Sequence, residues 1–286
     1  MPELAPLPDL IVEPIVRAAL AEDLGRAGDI TTSAVVAADA YFSGGIVARR
    51  DGTIAGTQAA LIVLNLVDPT VSVSVQAPDG TSVSAGDTIL HIEGPARAVL
   101  TAERTALNMM CHLSGVATVT AELVAAVGNN KARITCTRKT TPNLRTLEKH
   151  AVRAGGGVSH RFGLDDGILI KDNHVALAGG IRPAIQRAKA NIGHMVKIEV
   201  EVDTLHQLDE ALSEGIDAVL LDNMDPDMLR RAVQTIEGRA ISEASGRITA
   251  DQVPAVAASG VDIISAGWIT HSAPALDLGL DFGVTI

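Results

Sequence analysis

Residues 196–222, VKIEVEVDTLHQLDEALSEGIDAVLLD, decide the fold. The stretch reads as a short apolar strand (196–202), a helix (205–214) and a second strand (217–222) that ends on an acid. The same order recurs to either side. A strand at 133–139 precedes a helix at 144–154, and one at 167–171 precedes a helix at 181–190. Beyond the quoted stretch, 217–222 leads to a helix at 226–236, 239–243 to one at 250–259, and 261–265 to AGWITHS. Repeated strand–helix units imply parallel strands joined by crossovers.

Polar residues at the strand ends choose between a barrel and an open sheet. Lys139, Lys171, Glu201, Asp222, Glu243, Ser245, Ser265 and Gly267 all fall at or just beyond the C-terminal ends of these strands. In a closed α/β barrel such ends converge on one mouth, whereas an open sheet spreads them along a ridge. The expectation is therefore an α/β barrel, incomplete because about six strands are present rather than eight.

The first part of the chain follows different rules. An amphipathic helix is expected at 10–24, and GRAGDITT after it reads as a polar turn. Short strands follow at 45–50, 53–56 and 71–75, with a helix near 58–66, and PDGTSVSAGDTILHIEGP reads as part of a small antiparallel sheet. Residues 96–127 return to helical spacing, with Leu100, Leu107, Met110 and Leu113 on one side and Gly115 permitting a bend. On its residues alone Arg104, beside Glu103, is an ordinary solvated arginine, and Cys111 and His112 are helix-packing residues.

Composition narrows the chemistry. The chain of 286 residues is 47% hydrophobic but only 2% aromatic, so its core is built from Ala, Val, Ile and Leu, as buried parallel strands and their helices require. The N-terminus has neither a basic region nor an apolar core for a targeting peptide, the apolar runs are too short to span a bilayer, and two cysteines make no framework, so the expected compartment is the cytoplasm.

Against a net charge of −11, residues 133–174 carry Arg133, Arg138, Lys139, Arg145, Lys149, Arg153, Arg161 and Lys171, with only four acids among them. A local cationic focus on an acidic, aromatic-poor chain suits a small polyanion and not a nucleic acid. Arg145, Lys149 and Arg153 fall on the helix at 144–154 and are expected to be solvated. Arg138, Lys139, Arg161 and Lys171, with His160, would face Glu201 and Asp222 across the mouth. Cations on one side and two carboxylates on the other suit an anionic co-substrate and a phosphorylated sugar with Mg²⁺. Small residues at Ser245 and Gly267 suit a phosphate. Two other readings of the lysines stand beside this one: structural ion pairs with Glu201 and Asp222, or a Schiff-base nucleophile. Asn173 and His174 can be a turn and a cap.

TAERTALN, TRKTTP, EKHAVRAGGGVSHRFGL, IKDNHV, IEVEVD, LLDNM, EASG and GWITHS, in that order, resemble the quinolinate phosphoribosyltransferases over nearly the whole chain. The resemblance implies an N-terminal α+β open-faced sandwich domain (1–114, joined by the tail at about 275–286) and the incomplete barrel (115–274). It implies transfer of phosphoribose from phosphoribosyl pyrophosphate to quinolinate with decarboxylation, giving nicotinate mononucleotide, pyrophosphate and CO₂ for NAD biosynthesis. Arg138, His160, Arg161 and Lys171 would bind quinolinate, with Arg104 entering from the other subunit of a homodimer or larger assembly. Lys139 would lie between the substrates, Glu201 and Asp222 would meet the ribose hydroxyls and Mg²⁺, and Ser245, Gly246, Gly267 and His271 would take the 5′-phosphate. The catalytic set so implied is Lys139, Lys171, Glu201 and Asp222.

Departures from the family pattern cluster at two places. Arg247 stands where a second glycine often follows Ser-Gly, and Trp268 where a small residue follows Gly267. Asn143 and His150 replace a more common glycine and tyrosine. Rival readings are a related phosphoribosyltransferase-like protein of the molybdenum-transport-associated type, acting on another ligand, and a Schiff-base barrel lyase.

Overall fold

The structure of the protein, a computed structural model, describes residues 4–283. In chain order the first elements are α1 (Asp9–Leu24), α2 (Ile30–Val35), β1 (Tyr41–Ala48), β2 (Gly52–Thr53), α3 (Thr57–Val67), β3 (Ser72–Val75), β4 (Ser82–Val83), β5 (Thr88–Pro95) and α4 (Ala96–Val127). Then come β6 (Arg133–Thr135), α5 (Arg145–Ala154), β7 (Ile168–Ile170), α6 (Asp172–Ala178), α7 (Ile181–Asn191), β8 (Ile198–Val202), α8 (Leu205–Ser213), β9 (Ala218–Asp222) and α9 (Pro226–Ile236). The chain continues with β10 (Ile241–Ser245), α10 (Val253–Ala258), β11 (Ile263–Ser265), α11 (Trp268–His271) and β12 (Leu278–Phe282).

Two compact units result. One comprises the chain up to Ala121, Thr141–Gly156 and the chain from Ser272 onward; the other comprises Glu122–Thr140 and Gly157–His271. In the first, β12, β1, β5 and β3 form an antiparallel sheet in that order, beside a two-strand ribbon of β2 and β4. Ile46, Ile92 and Leu280 of this sheet meet Leu64 of α3 and Val99 and Leu107 of α4, so alternate strand residues and the apolar stripes of two helices share one core.

The second unit is the incomplete barrel. Its six parallel strands run in the order β6-β11-β10-β9-β8-β7. The first strand of the unit pairs with the last, and the two strands left at its edges are the first and second. In the chain, α5 falls between these two strands and is expected from sequence to be a crossover of the barrel; it belongs to the first unit instead. β6 and β7 do not pair; on the side away from β11, β6 meets a single parallel bridge from Thr135 to Val158.

Four expectations require correction. GRAGDITT is not all turn, because Asp29 accepts the Thr32 N–H at 2.8 Å and starts α2. Asn173 lies inside α6 rather than in a turn, whereas His174 does act as a cap, its Nδ1 accepting the Lys171 N–H at 2.9 Å at the start of the helix. Lys149 is fully buried rather than solvated, a consequence of where α5 sits. Finally, α4 is long and apolar enough to cross a membrane by length and composition; 56% of its most apolar stretch is buried within the fold, as for a core helix.

Candidate active site

Each barrel strand delivers its polar residue at or just after its C-terminal end. Beyond β6 come Thr137, Arg138 and Lys139, and the turn is pinned because Thr270 Oγ1 donates to the Lys139 carbonyl at 2.8 Å. Lys171 follows β7, Glu201 lies within β8, and Asp222 and Ser245 end β9 and β10 in register with one another. These residues line one cavity of about 720 Å³, together with His160, Arg161, Gly246, Gly267 and His271. Of the site residues expected from sequence, Arg104 is the one missing from its wall. Arg104 projects from α4, 64% exposed, with Glu103 at 3.9 Å as its ion-pair partner.

Charge inside the cavity is poorly compensated. Lys171 Nζ lies 3.3 Å from Glu201 Oε2, so the ion pair considered from sequence does form, but Lys171 is half exposed. Burial pushes the Glu201 carboxyl above its ordinary range, an effect that Lys171 only partly offsets and Asp222 adds to. Asp222 is raised as well, by burial and by Asp203, with Lys171 and Lys139 opposing. Arg161 is shifted the other way: burial and the neighbouring Arg138 lower it, against Glu199 and Asp166. Arg161 Nη1 donates to the Gly167 carbonyl at 2.8 Å, yet the Nε atoms of both Arg138 and Arg161 are buried without a partner. Two guanidinium groups held against each other and incompletely bonded form a receptor for an anion with several oxygens.

The glycines are there for room. A Cβ on Gly246, whose φ is 112°, would collide with Asn223, and one on Gly267 would lie 3.0 Å from Lys139 Cδ. Trp268 does not fill this space: its Nε1 donates to the Ile248 carbonyl at 3.0 Å and ties the turn after β10 in place. Arg247 adopts φ 50°, the left-handed conformation that suits the glycine often found there, and its side chain reaches the cavity wall.

Two wall residues, Asn223 and Glu243, and one buried beside them, Glu199, have no role assigned from sequence. Asn223 also adopts a left-handed conformation (φ 53°) and donates through Nδ2 to Asp222 Oδ2 at 2.6 Å, aiming the carboxylate. Glu243 was placed at a strand end without a role, and Glu199 was not considered. His160 Nε2 lies 3.1 Å from Glu199 Oε2 and 3.6 Å from Glu243 Oε2. The signal was available, since Glu199 and Glu201 are two residues apart in one strand and share a face.

The family model for the quinolinate phosphoribosyl transferase C-terminal domain matches residues 116–281, and that for the N-terminal domain matches residues 29–114. The chain belongs to the quinolinate phosphoribosyl transferase family. It is 45% identical to the nicotinate-nucleotide pyrophosphorylase (carboxylating) of Mycobacterium leprae over 271 residues, covering 93% of this chain and 95% of that one. The probable nicotinate-nucleotide pyrophosphorylase (carboxylating) of Bacillus subtilis is 43% identical over 260 residues, or 91% and 89% of the two chains. Among solved structures, the nicotinate-nucleotide pyrophosphorylase of Francisella tularensis superposes with a TM-score of 0.93 at 38% identity, covering 99% of each chain. Family membership thus extends over both the antiparallel-sheet unit and the barrel.

Proposed function

We propose that the protein is a phosphoribosyltransferase that joins quinolinate to phosphoribosyl pyrophosphate and decarboxylates the adduct, yielding nicotinate mononucleotide, pyrophosphate and CO₂ in NAD biosynthesis. The observation that carries this reading is the single cavity in which two incompletely bonded guanidinium groups face two carboxylates of raised pKa within a chain of this family. Arg138 and Arg161, with His160 and Lys171, take the two carboxylates of quinolinate and hold its ring nitrogen toward the sugar. Ser245, Gly246, Gly267 and His271 hold the 5′-phosphate, where free backbone N–H groups and the absence of Cβ atoms leave space.

The first step forms a bond between the ring nitrogen and the anomeric carbon as the bond from that carbon to pyrophosphate breaks. Positive charge grows on the ribose, beside Glu201 and Asp222, and negative charge grows on the leaving group, beside Lys139. The same two carboxylates suit a hard divalent cation: both are oxygen donors on adjacent strands, half-buried, with charge that the lysines leave uncompensated. They would hold Mg²⁺ directly or through water, and the ion when bound would neutralise the pyrophosphate oxygens. In the second step the bond from C2 to its carboxylate breaks, CO₂ departs, and the electron pair left on C2, next to the cationic nitrogen, takes a proton. Orientation by the guanidinium pair and exclusion of water are the protein's contributions here.

The assembly is proposed to be at least a homodimer in which Arg104 completes the quinolinate site of a partner subunit, supported by its exposure and its absence from the wall of its own cavity. A cytoplasmic location is proposed with it, in keeping with two free cysteines. Incubation with quinolinate, phosphoribosyl pyrophosphate and Mg²⁺ should yield nicotinate mononucleotide. No product from quinolinate would sink the reading, and turnover of another ring acid in its place would redirect it. For the shared site, an inactive Arg104→Ala chain mixed with an inactive Lys171→Ala chain should recover part of the activity; verified heterodimers without recovery would dismiss it.

A further inference from the structure

Glu243, on the wall of the cavity, and Glu199, buried beside it, have no part in the chemistry described above. They face the same atom, His160 Nε2, and the three groups lie within 4.8 Å of one another. His160 Nδ1 accepts the Arg161 N–H at 2.7 Å, so the hydrogen of the ring sits on Nε2. A nitrogen that bears a hydrogen has no lone pair for a cation, and the trio is therefore arranged for a proton and not for a metal. One N–H serves one carboxylate, and the nearer is Glu199. Glu243, only 6% exposed, is left with Oε1 buried and without a partner.

Two buried carboxyl groups sharing one ring N–H repel each other, and a proton on one of them relieves the repulsion. The groups facing Glu243 are Glu199 from β8, His160 from the segment after α5 and the Ser265 hydroxyl from β11. Burial, reinforced by Glu199 and opposed by His160 and Ser265, pushes Glu243 up to about 7. The acid pair also adjoins the guanidinium groups, since Glu199 and Arg138 both act on Arg161. An ionised Glu243 would compete with an incoming anion for those cations and would repel it across a medium of low dielectric.

We infer that Glu243 sets the selectivity of the cavity for a doubly negative ring acid: its protonated form accepts the dicarboxylate, its ionised form rejects it, and binding draws a proton onto it. The inference rests on the function proposed above and adds to it a proton that enters with quinolinate. Filling the Arg138 and Arg161 end with two negative charges raises the cost of ionising Glu243, so proton and substrate favour each other's binding.

The test is calorimetry of quinolinate binding to the whole protein at pH 6, 7 and 8, each in two buffers of different ionisation enthalpy. Wild type should take up about half a proton at pH 7 and close to one at pH 8, with a Kd about tenfold weaker at pH 8 than at pH 6. Glu243→Gln should bind with an affinity that no longer follows pH and should take up no proton. In steady state only the KM for quinolinate should follow pH in this way, not that for phosphoribosyl pyrophosphate. The wild-type measurement needs no variant, so a poorly folding Glu243→Gln leaves the test intact. Binding without proton uptake, or uptake that survives in Glu243→Gln, overturns the inference. Uptake that appears only with added Zn²⁺ or Mn²⁺ and vanishes with a chelator overturns it too. A protein that makes nicotinate mononucleotide but takes up no proton fails this inference alone; one that neither binds nor converts quinolinate fails the proposed function as well.

Discussion

Both units bury charge, and they treat it in opposite ways. In the first unit Asp79 accepts from the Gly56 and Thr57 N–H groups at 3.0 Å, from the Thr57 hydroxyl at 2.7 Å, and faces His150 Nε2 at 3.3 Å. Burial alone would raise its pKa, but His150, Thr57 and Gly56 more than compensate, and the carboxyl lies below its usual range. Glu148, fully buried, is likewise held by His112 at 2.9 Å and the Thr141 N–H at 3.0 Å. In the barrel Glu201, Asp222 and Glu243 are all raised, Arg161 is lowered, and three buried polar atoms lack partners. Among the described residues of the first unit, His150 Nδ1 is the one buried side-chain atom in the same position. The sign of the shift separates charge that holds the fold from charge held ready for a ligand.

The widest separation should come from paired substitutions. Arg161→Ala removes a cation the fold does not need and is expected to lower kcat/KM by about 10³-fold with no loss of thermal stability. Asp79→Ala should do the reverse. It strands two N–H groups, a hydroxyl and a buried histidine, and should cost about 3 to 4 kcal/mol in denaturant unfolding, with kcat/KM nearly unchanged in the protein that remains folded. A barrel variant that unfolds, or an Asp79 variant that is stable but inactive, would break the contrast.

How far the sequence reveals this contrast depends on the range of the forces involved. The barrel strands were legible because strand length, apolar content and the polar residue at each end are local properties. The mouth was legible for the same reason, as β8 and β9 each show their acid at a fixed place in a short repeat. Lys149 was not, since its burial depends on α5 packing against α4 and the loop at Asp79, which lie many residues away in the chain. Nor could periodicity separate Glu199 from Glu201: both lie on one face of β8, and only the tertiary fold buries Glu199 while leaving Glu201 on the cavity wall. Asn143 and Arg247, noted as replacements for glycine, prove to be left-handed at φ 66° and 50°, so what the pattern recorded was a backbone requirement.

Acidification sharpens the comparison at a smaller scale. The folded value of Glu243, about 7, lies above its reference of 4.5. Its stabilising contribution is therefore complete below about 4.5 and is lost as pH rises through about 7. Glu201 and Asp222 act in the same direction. Asp79, lowered, contributes stability above its reference of 3.8 that is lost as pH falls through its folded value. The ligand-free protein should thus gain stability from pH 8 to pH 5.5 through the cavity and lose it below pH 4 through the first unit. Glu243→Gln should flatten the first limb, a difference of at most about 3 kcal/mol, and leave the acid limb unchanged. Thermal unfolding of both proteins across that range is the measurement, and an identical slope in the two would assign the upper limb to other groups.

The finest version of the comparison lies within the barrel, between two residues with the same backbone conformation. Glu237, exposed at the end of α9, and Arg247, on the cavity wall, both adopt φ 50°. A side chain with a Cβ is strained there, and glycine would relieve about 1 kcal/mol at either position. Glu237→Gly should therefore show that gain in denaturant unfolding with unaltered kinetics. Arg247→Gly should show a similar gain accompanied by a several-fold rise in KM for phosphoribosyl pyrophosphate, because the strain there keeps a guanidinium group beside the proposed phosphate site. If the KM does not move, the arginine is only a tolerated replacement for glycine, and the phosphate is held by Ser245, Gly246, Gly267 and His271 without it.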